Sequence, residues 1–206
     1  MKSKYIAVVD YGMGNLMSVS KALAGLYDNV CVTNSKNKID NASAVVLPGV
    51  GAFGDAIKNL NKLKLVNTVV NSINSGKPFL GICLGLQLLF TKSVEEGNWQ
   101  GLNLVKGVVK KFPLSSGLKI PHMGWNRIII RDKRGIFENV PDRSFVYFVH
   151  SYYGVPGEKG IAASETDYGI RFVSSIARDN IFACQFHPEK SQKIGLTILK
   201  NFVRTI

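Results

Sequence analysis

The chain is poor in cysteine, with Cys31, Cys83 and Cys184 its only three in 206 residues. An odd number without C-x-x-C spacing excludes a disulfide framework, and His122, His150 and His187 form no short-range ligand pair with them that would read as a zinc site. No apolar run reaches membrane-spanning length, and Met1-Lys2-Ser3-Lys4 leads straight into a strand-like stretch rather than a cleavable signal. A reducing cytoplasmic setting is therefore expected. Acidic residues are also scarce, 14 against 26 basic ones, for a net charge of +12. The lysines are dispersed with no run of five or more, so the excess reads as solubility and as steering of an anionic substrate or partner; neither nucleic acid nor a membrane is expected as a partner. There is no internal repeat, low-complexity tract or linker. With 46% hydrophobic content, one well-filled domain over 1–206 is expected.

What the chain does have is an alternation of strands and helices. Tyr5 to Asp10 is a β-rich run closed by Tyr11-Gly12-Met13-Gly14-Asn15, and Leu16 to Leu26 carries helical apolar spacing. The G-x-G here lacks the third glycine and the distal acidic residue of a dinucleotide site, which is discarded. Strands follow at Val30 to Thr33 and Ala44 to Leu47, then helices at about 53 to 63 and Leu65 to Ile73. This predicts an α/β fold with a doubly wound, mostly parallel sheet, helices on both faces, and binding groups at the carboxyl ends of the strands. After Glu95-Glu96-Gly97 the pattern turns to strands (Leu104 to Phe112, Arg127 to Arg131, Phe145 to Val149, Arg171 to Ile176, Ile181 to Phe186), which predicts a partly antiparallel flank. Lys190 to Ile206 reads as a closing helix with Ile194, Leu196, Ile198, Leu199, Phe202 and Val203 as its apolar surface.

The organising stretch is Gly81-Ile82-Cys83-Leu84-Gly85, between apolar Pro78-Phe79-Leu80 and helix-forming Leu86 to Phe90. Strand, sharp turn and helix in that order would present Cys83 exposed at a helix N-terminus, where N–H groups favour negative charge and the Leu84 amide faces a developing oxyanion. The alternative is a small buried hydrophobe ending a parallel strand. A cysteine nucleophile needs a base, and the base needs an orienting group. Phe186-His187-Pro188-Glu189 supplies both from one strand end, with Glu189 able to take the imidazole N–H. His150, at another strand end, and His122, in a surface-like turn, compete as bases. Pro48-Gly49-Val50-Gly51 ends another strand, and its glycines allow an amide to turn toward a ligand; an ordinary strand-to-helix turn is the plainer reading.

In this order and at these separations, Pro48-Gly49-Val50-Gly51, Gly81 to Gln87 and Phe186 to Glu189 resemble class I, triad-type glutamine amidotransferases across essentially the whole chain. Asp10 to Asn15, Pro121-His122-Met123-Gly124-Trp125-Asn126, Phe148 to Tyr152 and Glu189-Lys190-Ser191 resemble the branch of that family formed by the glutaminase subunits of imidazole glycerol phosphate synthase. The resemblance implies a Cys83–His187–Glu189 triad that hydrolyses glutamine, with oxyanion donors from Leu84 and from Val50 or Gly51. It implies a glutamine site at Gly49, Gln87, His150, Ser151 and Tyr152, and no cofactor or metal. It also implies a heterodimer with a (β/α)₈ cyclase subunit that receives the ammonia, contacted through Asn15, Pro121, Met123, Trp125, Tyr147 and Lys190. A second reading is a paralogous glutaminase serving a surface-polysaccharide sugar amidotransferase; a third, a non-enzymatic binding module, is opposed by the intact triad.

Overall fold

Strands β1 (Ile6–Val9), β2 (Val30–Thr33), β3 (Ala44–Gly49) and β4 (Phe79–Cys83) alternate with helices α1 (Leu16–Ala24), α2 (Lys36–Asn41), α3 (Phe53–Lys62) and α4 (Val66–Asn74). The computed structural model describes residues 4–113, 118–133 and 135–206; Met1-Lys2-Ser3, read above as leading into β1, lie outside them. Helix α2 has no counterpart in the sequence reading. It is a six-residue helix with one buried side chain, Ile39, too short to show an apolar period, and Ser35 caps it by accepting from the Lys38 N–H.

The apolar strands are buried on both faces. Ile6, Val8, Val46, Leu80 and Ile82 pack with Val19 and Leu23 of α1, while Ala7, Val9, Val45, Leu47 and Phe79 pack with Ile39, Phe53, Leu60 and Val69 of α2, α3 and α4. Alternate residues of one strand thus feed two cores, which is why these strands are apolar throughout. The last helix, α6 (Gln192–Val203), joins α1 on the first face through Ile198, Leu199 and Phe202; Leu196, expected on its apolar surface, is exposed.

The doubly wound expectation holds, and the antiparallel part is larger than expected. One sheet has eight strands in the order β2-β1-β3-β4-β14-β13-β12-β9, using β9 (Ile129–Ile130), β12 (Ala162–Asp167), β13 (Arg171–Arg178) and β14 (Ile181–Cys184). Strand β14 is parallel to β4, and β13, β12 and β9 continue the same sheet antiparallel. Apart from it, β5 (Phe90–Ser93), β6 (Trp99–Gln100), β7 (Val105–Lys111) and β11 (Tyr152–Pro156) form a four-stranded sheet, and β8 (His122–Arg127) pairs with β10 (Phe145–His150) in a third sheet. Among the described residues no helix is long and apolar enough to cross a membrane.

Two local expectations are corrected. Leu86 to Phe90 is not a helix: α5 is a single turn, Leu84–Gln87, and Phe90 already begins β5. Leu86, Leu88, Leu89 and Phe90 are all buried, so the run has no polar face whose period would mark where helix ends. His122 does not sit in a surface turn but opens β8, buried, with its partner strand more than twenty positions away in sequence. Proline and glycine in Pro121 to Asn126 suggested a turn; cross-strand pairing overrides that local signal.

Candidate active site

Cys83 is the last residue of β4 and takes φ 55°, ψ −106°, a conformation that strains a residue with a side chain by roughly 1–3 kcal/mol. The turn tightens because α5 starts at once. A β-carbon on Gly85 would stand 1.8 Å from the Leu47 carbonyl oxygen, so α5 can seat against the end of β3 only with glycine there. The thiol is not exposed as expected: Cys83 is 6% accessible and forms part of a pocket wall. Since α5 is one turn long, the aid it offers a negative charge is the local N–H groups of its first residues rather than a long helix dipole.

Strand β14 runs beside β4 with Cys184 opposite Ile82, so the chain leaves the sheet alongside Cys83 and carries residues 185 to 189 past it. His187 is fixed by its main chain: its N–H donates to the Tyr147 carbonyl at 2.9 Å, and its own carbonyl accepts from the Ser191 hydroxyl at 2.6 Å. The Ser191 oxygen in turn accepts from the Tyr147 N–H at 3.0 Å. The His187 Nδ1 meets Glu189 Oε1 at 2.8 Å, with the two side chains 2% and 1% exposed. An ionised carboxylate only accepts, so Nδ1 carries the proton of this contact. His187 Nε2 and Glu189 Oε2 make no hydrogen bond within the protein. Burial alone would lower the His187 pKa. Cys83 first, and then the bond to Glu189 and its charge, outweigh it and raise the pKa to about 10, which favours the imidazolium at neutral pH.

Val50, Gly51, Leu84, Gln87, Ser151 and Tyr152 line the same pocket as Cys83, a cavity of ≈ 590 Å³. Gly49 lies just behind, paired with Cys83 across β3 and β4. A second concavity of ≈ 440 Å³ lies at the opposite, amino-terminal end of β4 and β14, lined by Phe79, Ile136, Phe182 and Phe202 among others, with neither cysteine nor histidine in its lining.

His150 also borders the Cys83 pocket, but its ring is fully engaged. Its Nδ1 contacts the Tyr152 carbonyl at 2.8 Å and its Nε2 contacts His122 Nδ1 at 2.9 Å; His122 Nε2 then meets the Asn126 side-chain amide nitrogen at 3.2 Å. A carbonyl can only accept, so one tautomer satisfies the whole chain: His150 and His122 each protonated on Nδ1 and neutral. Burial lowers the two pKa values, His150 to about 3 and His122 to about 4. Neither ring is free to serve as base. Both folded pKa values lie below the ordinary 6.5, so the stability they contribute is present above about pH 6.5 and is lost as pH falls toward 4 and 3. Chemical denaturation between pH 6 and 4 should therefore show stability falling by up to about 1.4 kcal/mol per pH unit for each ring. His122→Gln, with no titratable ring, should roughly halve that slope; an unchanged slope would contradict the neutral pair.

Of the residues expected at a partner surface, Met123, Trp125, Tyr147 and Lys190 lie together. In β8 the alternation buries His122 and turns Met123 and Trp125 outward, 62% and 46% exposed, and Tyr147 of β10 stands edge-on to Trp125 with ring centroids 6.1 Å apart. The Lys190 ammonium is 5.9 Å from the Tyr147 ring, and Pro121 is exposed at the start of β8. Asn15 is exposed too, and its side chain caps α1 by accepting from the Ser18 N–H at 3.2 Å.

Three features escaped the sequence reading. Gln185, fully buried, donates from Nε2 toward Cys83 Sγ at 3.6 Å and accepts at Oε1 from Gln87 Nε2 at 3.0 Å; Gln87 also donates to the Tyr152 carbonyl at 3.0 Å. Its place one residue after β14, beside the Phe186 to Glu189 stretch, was the available signal. Glu95 caps α3 from a distance, accepting from the Phe53 N–H at 2.8 Å, and it lines the pocket with Glu96. Trp99 holds that loop by donating to the Glu95 carbonyl at 3.0 Å. Third, the buried Tyr11 hydroxyl has no hydrogen-bond partner.

The chain is 55% identical to the imidazole glycerol phosphate synthase subunit HisH of Aquifex aeolicus over 198 residues, covering 96% of this chain and 95% of that one. It is 50% identical to the subunit of the same name from Geobacter metallireducens, covering 96% of each chain. Solved structures share the fold at low identity. A glutamine amidotransferase superposes with a TM-score of 0.75 at 14% identity, covering 96% of this chain and 97% of that one, and a PurLQS structure from Thermotoga maritima with 0.75 at 18%, covering 98% of each. The sequence pattern of glutamine amidotransferase class-I matches residues 7–206, and with relatives this similar along almost the whole length, the chain belongs to the class-I glutamine amidotransferase family.

Proposed function

We propose that this protein is the glutaminase subunit of a cytoplasmic imidazole glycerol phosphate synthase and acts in histidine biosynthesis. The observation that carries the chemistry is the buried 2.8 Å contact between Glu189 and His187, whose ring interacts with Cys83, itself part of the wall of one pocket. The thiolate of Cys83 adds to the glutamine side-chain carbonyl, the C–N bond breaks, and His187 gives its proton to the departing ammonia. His187, now neutral, takes a proton from water as that water attacks the thioester. Glutamate leaves, and thiolate and imidazolium are restored. Glu189 holds the imidazole in the required tautomer, and the Leu84 N–H with one from Val50 or Gly51 stabilises the oxyanion, a donor in such sites being worth ~3 kcal/mol.

Free glutamine is a zwitterion in its amino-acid part, and the pocket carries both counter-charges, Glu95 and Glu96 against Lys111. Gln87, Ser151 and Tyr152 complete the hold on that end, with Gly49 behind them at the end of β3. His150 acts through the Tyr152 carbonyl, since both its ring nitrogens are engaged.

The ammonia acceptor is a (β/α)₈ cyclase subunit, which makes imidazole glycerol phosphate and an aminoimidazole carboxamide ribotide. It docks on the outer face of β8 and β10 around Met123, Trp125, Tyr147 and Lys190, with Pro121 and Asn15 at the rim. The support is an exposed, aromatic and basic surface of the kind that anchors interfaces, together with the names carried by relatives at 50–55% identity. Those names favour this reading over a subunit serving sugar amidination. Tyr147 belongs to this face and bonds the His187 main chain, so docking bears directly on the base.

Reconstitution tests both halves. Glutamate release is measured for the isolated subunit, for the subunit with cyclase, and for the complex with the ribotide ligand. A slow first rate and a strongly raised third are expected, because Gly51, at φ 102°, lets the oxyanion segment rest turned away until the interface closes. Trp125→Ala should weaken assembly about tenfold or more. Equal glutamate release in all three arms would remove the coupling.

A further inference from the structure

Tyr11 follows β1 and is 1% exposed, and its hydroxyl is a buried donor that makes no hydrogen bond. Native interiors rarely leave such a group alone, and an unpaired one calls for a functional or conformational explanation. The hydroxyl abuts Gly49: a β-carbon there would stand 2.2 Å from Tyr11 Oη and 2.9 Å from the Leu84 β-carbon. It does so from the core side, since Tyr11 packs with Ala7, Val9, Leu47 and Leu84, whereas Val50 and Gly51 face the Cys83 pocket. Burial first, and then the charge of Cys83, push the phenol pKa up, so the group stays a donor.

In a trans peptide the N–H and C=O point in opposite directions. Turning the Val50 N–H toward the pocket therefore turns the Gly49 carbonyl toward the core. We infer that the Tyr11 hydroxyl is the latch of the oxyanion segment: it receives the Gly49 carbonyl when the Gly49–Val50 peptide turns, and so holds the Val50 N–H toward the reacting carbonyl. Tyr11 is then a positioning residue, acting on the oxyanion through a peptide and not on the nucleophile. The inference rests on the glutaminase reading above and adds what stabilises its active form.

The test is Tyr11→Phe, which removes one oxygen. In the complex with the cyclase and its ribotide ligand, kcat for glutamine should fall about five- to tenfold, the worth of one hydrogen bond, with KM unchanged. The thermal midpoint of the variant should not drop, because the lost hydroxyl has no partner in this conformation. Alkylation of Cys83 by iodoacetamide forms no tetrahedral oxyanion, and its rate should stay at the wild-type value. Unchanged kcat overturns the latch. So does a fall in kcat accompanied in proportion by slower alkylation or a lower midpoint, which would mean that Tyr11 serves the thiol or the core. If the wild-type complex neither hydrolyses glutamine nor is alkylated at Cys83, the glutaminase reading itself has failed and the latch falls with it.

Discussion

Cys83→Ala should lower glutamine hydrolysis in the reconstituted complex by roughly 10⁴-fold or more, about 5 kcal/mol of transition-state stabilisation, while fold and cyclase binding persist. The loss is large because no other group can replace the nucleophile. Cys184 is fully buried, with its pKa pushed well up by burial first and by the charges of Glu189 and Cys83, and Cys31 lies in β2, a strand at the sheet edge. The fold should persist because the side chain lost is small and borders a pocket, while the strained backbone at position 83 is maintained by Gly85 against Leu47 and by the sheet. Glutamate release, thermal midpoint and partner titration are the measurements. An electrophilic glutamine analogue followed by mass spectrometry should label Cys83 in the wild type and leave Cys31 and Cys184 unmodified. A folded alanine variant with wild-type turnover would end the proposed mechanism.

Glu189→Gln is expected to cost about 10³-fold in kcat with KM for glutamine little changed. The substitution keeps size and shape in a place where the side chain is 1% exposed, so it tests charge rather than packing. The neutral amide can still contact Nδ1, but it can also present N–H₂ and favour the wrong imidazole tautomer. It also removes one of the charges that hold the His187 pKa near 10 against burial. With that support gone, less of the imidazolium that gives its proton to the leaving ammonia exists at neutral pH. Turnover within about threefold of wild type would show that Glu189 is only a packing element.

The sequence by itself determined most of the framework. Strands apolar along their whole length mark burial on both faces, so the alternation in the first half yielded a doubly wound sheet and the ends of β3 and β4 before any coordinates. Glycine two residues either side of Cys83, and histidine, proline and glutamate after an apolar strand, are local signals, because tight backbone approach and the reach of a carboxylate to a ring two residues away depend on near neighbours. That is why Cys83, His187 and Glu189 stood among the candidates, with His150 and His122 competing as bases until the family resemblance chose between them.

Only the tertiary structure decided what depends on distant partners. Strand β8 exists because β10 pairs with it across a long connection, and its pleat buries His122 and exposes Met123 and Trp125. The same pairing brings His122 Nδ1 onto His150 Nε2, which no local reading of a histidine at a strand end could show, while Nδ1 of His150 is held by the nearby Tyr152 carbonyl. Gln185 reaches the thiol because β14 lies beside β4, about a hundred residues apart in sequence, and Tyr11 meets Gly49 because β1 lies beside β3. Composition and periodicity report how a residue is buried; which polar group it then meets is set by the sheet order, and that order is chosen by the packing of the whole chain.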